Sequence, residues 1–396
     1  MLVQPLDDKG ECVGYYADGH LTYETLPGGA TGTWGYSTHL NDRVQYAQLY
    51  CGGQSLGEVC PESLQARWQE VSNKLRAYFR SFSEGKVAIG DHCFYNLVPE
   101  RFLLEFFDTK QRITEHVLET YPKPDNYDFL VSLSRTLLAM SQRELRFDVN
   151  ALRGRLAEKR VRDFWKKITK GNNKIKYNVF GTKTGRLTTK KDSFPILTLD
   201  STFRSVIRPN NDWLVEIDLN GAELRTLLAL SGHEQPSEDL HKWNVENIFG
   251  GDITRDEAKK KIFAWLYNPK ALNKKAEAYY NRELVLEKFY KGGHVETTFD
   301  RTIPADDHHA LNYIIQSTTS DLFLRQLCIV DKLLTGCKSY ISFCIHDSMV
   351  LDLHSDDKHL LPQILKAFSH TELGDYRVNV SVGKDFGNME KLAWNQ

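Results

Sequence analysis

Two aspartates follow short apolar runs that are typical of β-strands. Asp218 ends the run 214–218, and Asp347 lies in the tight turn 346–348 of a predicted hairpin. Either residue alone would be an ordinary turn acid. Together they can bind hard divalent cations, because Mg²⁺ takes one or two carboxylates and leaves its other positions to waters and substrate phosphates. The pair therefore indicates metal-assisted phosphoryl transfer.

A second set of residues that could bind a ligand lies on one face of a predicted helix over 255–267. Thr254 and Glu257 form a capping box at its start, and Pro269 follows its end. Every fourth residue belongs to this face: Arg255, Lys259, Phe263 and Tyr267. The opposite face is apolar and predicts a core contact through Ala258, Ile262 and Leu266.

A cation in the first turn of a helix opposes the helix dipole, so Arg255 at that position indicates a bound anion. The helix N-terminus, Arg255 and Lys259 would make a polyphosphate site, and the two aromatic rings would offer flat surfaces to a base. The plainer interpretation is an amphipathic helix with two solvated cations.

Charge is unevenly distributed along the chain. The net charge is −1, yet 152–191 holds fourteen Lys and Arg against Glu158 and Asp163, a surplus of twelve positive charges. Such segregation indicates a polyanionic partner, and the alternative is a solvated basic helix.

The elements that must position these residues follow from periodicity and from helix start and stop signals. Helices are predicted over 64–82, 101–119, 129–142, 222–231, 255–267 and 310–327, and strands over 214–218, 342–345 and 349–353. The basic stretch is predicted to be helical until Gly171. Asn220 is predicted to cap the helix that begins at Ala222, and Glu223 has the alternative role of satisfying backbone donors there. Pro122 and Pro124 mark the best candidate domain boundary.

Composition is that of a globular protein of two or three domains. The chain has 396 residues, of which 41% are hydrophobic and 26% are charged, which excludes collagen-like, mucin-like and wholly disordered classes. No apolar run approaches the length of a membrane span, and the first twenty residues lack the basic and then apolar pattern of a secretory signal, so neither such a signal nor a membrane partner is expected. Seven cysteines without a CxxC pair indicate a reduced, cytoplasmic chain without a structural zinc site.

From Arg186 to the C-terminus, about half of the chain, the sequence resembles family A, Pol I-like DNA polymerases. The order and spacing of three motifs carry the resemblance: Asp218-x4-Glu223-Leu224-Arg225, then the Arg255 to Tyr267 helix, then His346-Asp347. Three lesser matches support them: Thr184-Gly185-Arg186-Leu187, Asp239-Leu240-His241 and Asn312-x3-Gln316.

The resemblance implies an α/β (α+β) right-hand polymerase with an antiparallel-sheet palm and helical fingers. It implies two Mg²⁺ ions, with Mn²⁺ as a substitute, held by Asp218, Asp347 and the carbonyl of Leu219. The triphosphate would meet Arg255, Lys259 and His241, the sugar and base would meet Phe263 and Tyr267, and Glu223 would exclude a ribose 2′-hydroxyl. Primer-template DNA would meet Arg186, Arg225, Asn312, Gln316 and His346.

Several positions depart from the family pattern. Ala264 and Asn268 stand where glycines are usual, and His308 stands where an arginine is expected. Ser348 replaces the acid that usually follows the second aspartate. His-Asp-Ser is the pattern of single-subunit phage RNA polymerases, so an RNA polymerase or primase-like enzyme is the first alternative. Glu223 decides for dNTPs, because RNA-synthesising relatives typically have a small residue there.

Two departures concern whole domains. Only 33 residues, 153–185, lie where the family usually has a thumb. A reduced basic thumb would grip phosphates through Lys166, Lys167 and Lys170, and a processivity or replication partner protein is expected. Residues 1–125 contain no Asp-x-Glu and are either a degenerate exonuclease-like α/β domain or an unrelated module.

The expected division therefore begins with an N-terminal α/β domain over 1–125 and a basic reduced thumb with the entry to the palm over 126–200. The palm follows over 201–238, the fingers over 239–309, and the palm again over 310–396. The expected activity is that of a compact, phage-type DNA-directed DNA polymerase in the bacterial host cytoplasm. A non-catalytic DNA-binding accessory subunit with a polymerase-like fold is the second alternative.

Overall fold

The chain divides into two compact units, which we call unit 1 (Met1–Arg135) and unit 2 (Thr136–Gln396). The computed structural model describes all residues except 7–13, 24–27, 41–42, 88–91, 93, 170–172, 269 and 394–396. The division falls inside a helix, ten residues after the predicted boundary at 125. No helix in the described part of the chain combines the length and the apolar character needed to cross a bilayer.

Unit 1 combines short strands with two long helices. Three strands form an antiparallel sheet in chain order: β1 (Gln4–Pro5), β2 (Gly14–Ala17) and β3 (His20–Tyr23). Two more pair in parallel: β4 (Gly32–Thr33) and β5 (Gln45–Tyr46). The helices are α1 (Ala47–Tyr50), α2 (Glu62–Glu84), α3 (Phe94–Leu97) and α4 (Glu100–Thr120). The helices predicted over 64–82 and 101–119 are confirmed as α2 and α4.

Helix α4 supplies much of the core of unit 1. Its buried residues Phe102, Leu103 and Phe106 pack with Tyr16 of β2 and Val71 of α2. Val71 is the one fully buried residue that the structure describes in α2, so this helix covers α4 with a narrow apolar stripe and exposes charged residues elsewhere.

The first part of unit 2 is built from short elements. They are α5 (Tyr127–Gln142, which begins in unit 1), β6 (Arg146–Phe147), α6 (Lys159–Thr169), β7 (Tyr177–Asn178), β8 (Thr188–Thr189) and β9 (Ile207–Arg208). The basic stretch is less regular than predicted, because a 3₁₀ turn over Val149–Arg155 precedes α6. Gly171, the predicted helix end, lies outside the described residues.

A five-stranded antiparallel sheet forms the centre of unit 2. Its strands are β10 (Trp213–Leu219), β14 (Tyr340–Ile345), β15 (Ser348–Leu353), β18 (Val378–Gly383) and β19 (Glu390–Leu392), in the order β14-β15-β10-β18-β19. The predicted strands correspond to β10, β14 and β15. Asp218 is paired in register with Ser348 on one side and with Asn379 on the other, so the end of β10 lies between two neighbouring strands.

Helices and small hairpins complete unit 2. The helices are α7 (Ala222–Leu230), α8 (Leu240–Asn247), α9 (Arg255–Tyr267), α10 (Lys274–Tyr280), α11 (Arg282–Phe289), α12 (Ala310–Leu333) and α13 (Leu361–Ser369). The short strands are β11 (Tyr290–Lys291), β12 (His294–Glu296), β13 (Thr302–Pro304), β16 (His370–Thr371) and β17 (Gly374–Asp375). The predicted core stripe of α9 is confirmed, because Ala258, Ile262 and Leu266 are buried.

Candidate active site

Strand pairing brings the two predicted catalytic aspartates to one edge of the central sheet. Asp218 is the penultimate residue of β10, and Asp347 lies in the turn between β14 and β15. The register partner of Asp218 is Ser348, the residue after Asp347. The backbone N–H of Leu219 also donates to the carbonyl oxygen of Asp347, at 3.5 Å. Two separate motifs therefore meet because β10 and β15 are neighbours.

The electrostatics of this edge favour a bound cation. Burial raises the pKa of Asp218 to about 6; Asn379 opposes this by donating a hydrogen bond at 3.1 Å, while the charges of Asp347 and Glu216 raise the pKa further. Burial also raises the pKa of Asp347, against the nearby charge of Arg186. These two carboxylates are partly desolvated, and few hydrogen bonds or positive charges offset the cost of burying their negative charge. Such a pair is suited to a divalent metal ion.

Glu216 and Asn379 were not found by sequence reasoning. Glu216 lies two residues before Asp218 on the same strand, so the alternation of a β-strand puts it on the same face, and this signal was available. Ser348 donates to Glu216 at 3.2 Å. Asn379 belongs to a later strand, so only the sheet order reveals it. Among the described residues no group of three or more His, Cys, Asp or Glu is arranged to hold a metal ion.

A second group of predicted residues forms a hydrogen-bonded cluster around Glu223. Arg186 donates to one carboxylate oxygen at 2.6 Å, and the hydroxyl of Tyr267 donates to the other. Gln316 of α12 bonds the same tyrosine. Both oxygens of Glu223 are thus used by side chains, which argues against a role as a helix-start acid. Burial and the charge of Glu223 raise the pKa of Tyr267 far above its usual range, so this tyrosine stays a donor.

The predicted nucleotide-binding face of α9 is partly occupied by an ion pair. Arg255 donates to both carboxylate oxygens of Asp239, at 3.1 and 2.9 Å, while Lys259 is exposed. Asp239 also caps α8 and accepts from Asn220. Burial works to raise the pKa of Asp239, but the bonds from Arg255 and Asn220 outweigh it and bring that pKa well below the usual range.

His241 and Phe263 lie beside this ion pair. Their ring centroids are 5.8 Å apart, and the rings of Phe263 and Tyr267 are stacked at 5.9 Å. Burial, followed by the charge of Arg255, lowers the pKa of His241 to about 4, so the imidazole is neutral at neutral pH. It can therefore donate one hydrogen bond to a phosphate without adding a charge.

The structure differs from two predictions about the segment that runs from Asp218 to Arg225. Asn220 does not cap α7, since the N-cap is Gly221 at φ +60° and the Asn220 side chain bonds Asp239 and Leu240 instead. Arg225 is predicted to contact DNA, whereas its side chain is fully buried in the described structure. Its guanidinium donates to the carbonyl oxygens of residues 220, 236 and 238, so it holds the loop that leads to α8.

Three candidate residues have buried polar atoms that are without a partner in the described structure: Nε of Arg186, Nδ1 of His241 and Oδ1 of Asn312. Buried polar groups are normally hydrogen-bonded, so these three atoms could still accept or donate a hydrogen bond to a bound molecule. His346 is exposed at φ +50° in the turn that carries Asp347. Lys166 and Lys167 are exposed on α6, and Lys170 lies outside the described residues.

Comparison with known proteins identifies a similar fold but no related sequence. No family model and no curated protein sequence matches the chain. Its structure is similar to that of the POL domain of Pol1 from M. smegmatis in complex with DNA primer-template and dNTP, with a TM-score of 0.55 and 13% sequence identity. The match covers 87% of this chain and 82% of that one, which is more than unit 2 contains, so it extends into unit 1. The chain thus has a polymerase-like mixed α/β fold with antiparallel sheets.

Proposed function

We propose that this protein is a template-directed DNA polymerase that adds dNTPs to a primer 3′-hydroxyl. The observation that carries the proposal is the convergence in unit 2 of motifs from distant parts of the chain on two neighbouring clusters. One cluster contains Asp218 and Asp347, and the other joins Arg186, Glu223 and Tyr267. The polymerase-like fold supports the same conclusion.

In the reaction, the primer 3′-oxygen attacks the α-phosphorus of the dNTP. A new P–O bond forms, the bond between the α-phosphorus and the bridging oxygen breaks, pyrophosphate leaves, and the hydroxyl proton passes to solvent. Asp218 and Asp347, with the carbonyl of Leu219, would hold two Mg²⁺ or Mn²⁺ ions. When bound, such ions activate the attacking oxygen and neutralise charge on the phosphates.

The triphosphate would bind along α9. Asp239 holds the guanidinium of Arg255 in one orientation by accepting two hydrogen bonds from it. This lowers the entropy cost of placing the guanidinium against a phosphate. Lys259 is exposed one turn later, and its charge lowers the pKa of Asp218, so it is close enough to act electrostatically on the aspartate edge. The neutral imidazole of His241 would complete the phosphate contacts. The rings of Phe263 and Tyr267 would contact the base and sugar.

Primer-template DNA would be held by two kinds of contact. Near the site, Arg186, Asn312 and Gln316 would follow the new duplex, and His346 would lie near the primer end. The buried, unpartnered atoms of Arg186 and Asn312 support this role. Farther away, exposed lysines of α6 would neutralise phosphates without reading sequence. Such a grip would give short, distributive products from the isolated chain, with a partner protein supplying processivity.

Glu223 favours DNA over RNA as the product. Its carboxylate is anchored at both oxygens, by Arg186 and by Tyr267. A carboxylate that cannot swing away would penalise a ribose 2′-hydroxyl. Ser348 is the observation on the other side, since it stands where a second acid is usual in the family and hydrogen-bonds Glu216 instead. RNA synthesis is therefore the second candidate.

A primer-extension assay with Mg²⁺ tests the proposal. One labelled primer-template is incubated with dNTPs or with NTPs, and EDTA provides the metal-free control. We expect extension with dNTPs only, abolished by EDTA. Preferential extension with NTPs would support the RNA polymerase alternative. DNA binding without extension in either mixture would support an accessory subunit and would contradict the proposed activity.

A further inference from the structure

A buried ion pair lies next to the loop that carries Arg186. Asp321 on α12 is completely buried, and it accepts from Nε of Arg301 at 2.9 Å and from Nη2 at 2.6 Å. The paired carboxylate and guanidinium form a two-bond fork with a fixed mutual orientation. Burying two charges is costly and such pairs contribute little net stability, so the pair suggests a role in orientation.

The guanidinium of Arg301 fills the space in which a side chain at position 185 would lie. A Cβ added to Gly185 would come within 2.5 Å of Nη2 and 2.7 Å of Cζ of Arg301. Gly185 also has φ +76°, which disfavours other residues there. The close approach therefore needs glycine for two independent reasons, and it brings the ion pair into contact with the backbone of this loop.

That loop delivers Arg186 to Glu223. Thr182 accepts from the N–H of Gly185 at 3.4 Å and donates through its hydroxyl to the carbonyl oxygen of Arg186 at 2.9 Å. Arg186 then donates to Glu223 at 2.6 Å. A continuous chain of contacts thus runs from Asp321 through Arg301 and the loop to the carboxylate.

We propose that the Arg301–Asp321 pair positions Arg186 and thereby fixes Glu223 for selection of the nucleotide sugar. The inference rests on the proposed function, because it assigns specificity within that site. The two residues are positioning residues: the structure gives neither of them a hydrogen bond to Glu223 or Tyr267. If one of the two anchors of Glu223 loosens, the carboxylate can move, and its penalty against a 2′-hydroxyl falls.

The test compares Arg301→Lys and Asp321→Asn with the wild-type chain. Lysine keeps the charge but loses the fork and the contact under Gly185, and asparagine keeps the shape but loses the charge. The matched control is Arg208→Lys, because Arg208 makes a similar pair of bonds to Asp148 and Asp385, and the structure records no bond from it to the candidate site residues. Circular dichroism melts identify any variant that does not fold.

Two readouts separate positioning from sugar selection. Hydrogen–deuterium exchange at 182–186 measures the order of the loop without any activity. Ternary-complex formation on a 3′-dideoxy-terminated primer with dCTP or CTP measures sugar selection without chemistry. We expect both test variants to raise exchange in the loop and to lower the dCTP:CTP preference about tenfold, which is less than the roughly hundredfold that a misplacement of about 1 Å can cost. Arg208→Lys should change neither.

A double mutant links the two readouts. In a Glu223→Gly background, Arg301→Lys should cause no further loss of preference, because its route of action has been removed. Unchanged exchange in both test variants would overturn the proposal, as would increased exchange with an unchanged preference. A wild-type chain that binds DNA but neither extends a primer nor binds nucleotide would refute the proposed function and the sugar-selection step, while the exchange data would still decide whether the pair orders the Arg186 loop.

Discussion

The two units differ in how they treat charge. Unit 1 has 12 Lys and Arg against 18 Asp and Glu, a net charge of −6, and unit 2 has 39 against 34, a net charge of +5. Among the described residues every buried Asp, Glu, Lys or Arg lies in unit 2: Arg225, Arg282, Asp321, Asp352, Asp357 and Asp385. In the described part of unit 1 the buried polar groups, such as Gln4 and Thr114, are uncharged and accompany an aromatic core.

The two units therefore differ in what their buried residues can do. A core without charge, like that of unit 1, is stabilised by apolar burial and needs no particular orientation of a charged group. Buried charges must be paired and hydrogen-bonded, so each fixes its neighbours. Arg225 and Asp321 do so beside the candidate site, where one holds the loop before α8 and the other holds Arg301. The buried, paired charges of unit 2 therefore agree with the proposal that the chemistry and the polyanion binding belong to this unit.

The largest effect should come from the aspartate edge of unit 2. Asp218→Asn or Asp347→Asn should lower extension by about a thousandfold or more, because electrostatic stabilisation is lost in the transition state while DNA binding is retained. Single-turnover extension and a DNA-binding titration measure the two quantities. Asp212→Asn is the control, since Asp212 precedes the other end of β10. Wild-type extension in either aspartate variant would show that the reaction does not depend on these carboxylates of unit 2.

The second-largest effect should be on the discrimination between deoxyribose and ribose in the incoming nucleotide. Glu223→Gly should raise NTP use relative to dNTP use by about a hundredfold, the scale of losing one steric element in a specificity pocket. Single-nucleotide insertion of dCTP and CTP opposite one template base measures the ratio. Glu283→Gly removes an acid from the first turn of another helix in unit 2 and should leave the ratio unchanged. An unchanged ratio in the Glu223 variant would strengthen the RNA polymerase alternative.

Local signals predicted most of the elements that carry the site. Helix α9 has the predicted bounds because its capping box and its terminal proline are both in the sequence. Strand β10 is predicted by its apolar run, and the structure extends it by one residue at each end. The meeting of Asp218 with Asp347 is also as expected, since both follow strands that belong to one sheet.

Long-range partners could not be predicted in the same way. Arg255 has its predicted place on α9, yet its pairing with Asp239 depends on how α8 and α9 pack. The sequence predicts a DNA contact for Arg225, because nothing local distinguishes a buried arginine that bonds carbonyl oxygens from one that faces a ligand. The Arg301–Asp321 pair joins residues 20 apart and touches a glycine more than 100 positions earlier, so only the folded chain reveals it.

The uneven division of charge between the two units predicts a third, smaller effect, on the salt dependence of DNA binding. Replacing Lys166, Lys167 and Lys170 by Ala should weaken binding to all DNA sequences similarly and flatten the log–log salt slope by up to about three, because each phosphate contact releases about 0.9 counterion. Fluorescence anisotropy over a salt series measures the slope. The matched unit 1 variant replaces the exposed Arg76, Arg80 and Lys86 and should leave the slope nearly unchanged. Equal flattening by the two triple variants would show that unit 1 shares the DNA contact.

The smallest predicted effect is the dependence of stability on the protonation of His241. Its pKa is lowered to about 4 by burial and by the charges of Arg255, Lys259 and Arg225, against the opposing charge of Asp239. The unfolded chain, with an ordinary histidine pKa near 6.5, therefore binds more protons below that pH than the folded chain does, and the free energy of unfolding falls as the pH falls from about 6.5 towards 4.

This contribution is complete above about pH 7 and should decrease by about 1 kcal/mol between about pH 7.5 and 6. Urea unfolding at the two pH values measures it, and the comparison is with His241→Gln, which keeps a polar side chain without the titration. His359→Gln is the control at an exposed histidine. The difference between the two pH values should shrink by that amount in the His241 variant alone. An equal pH dependence in wild type and His241→Gln would mean that the imidazole is already hydrated or charged in the folded chain, which would contradict its proposed role as a neutral donor to phosphate.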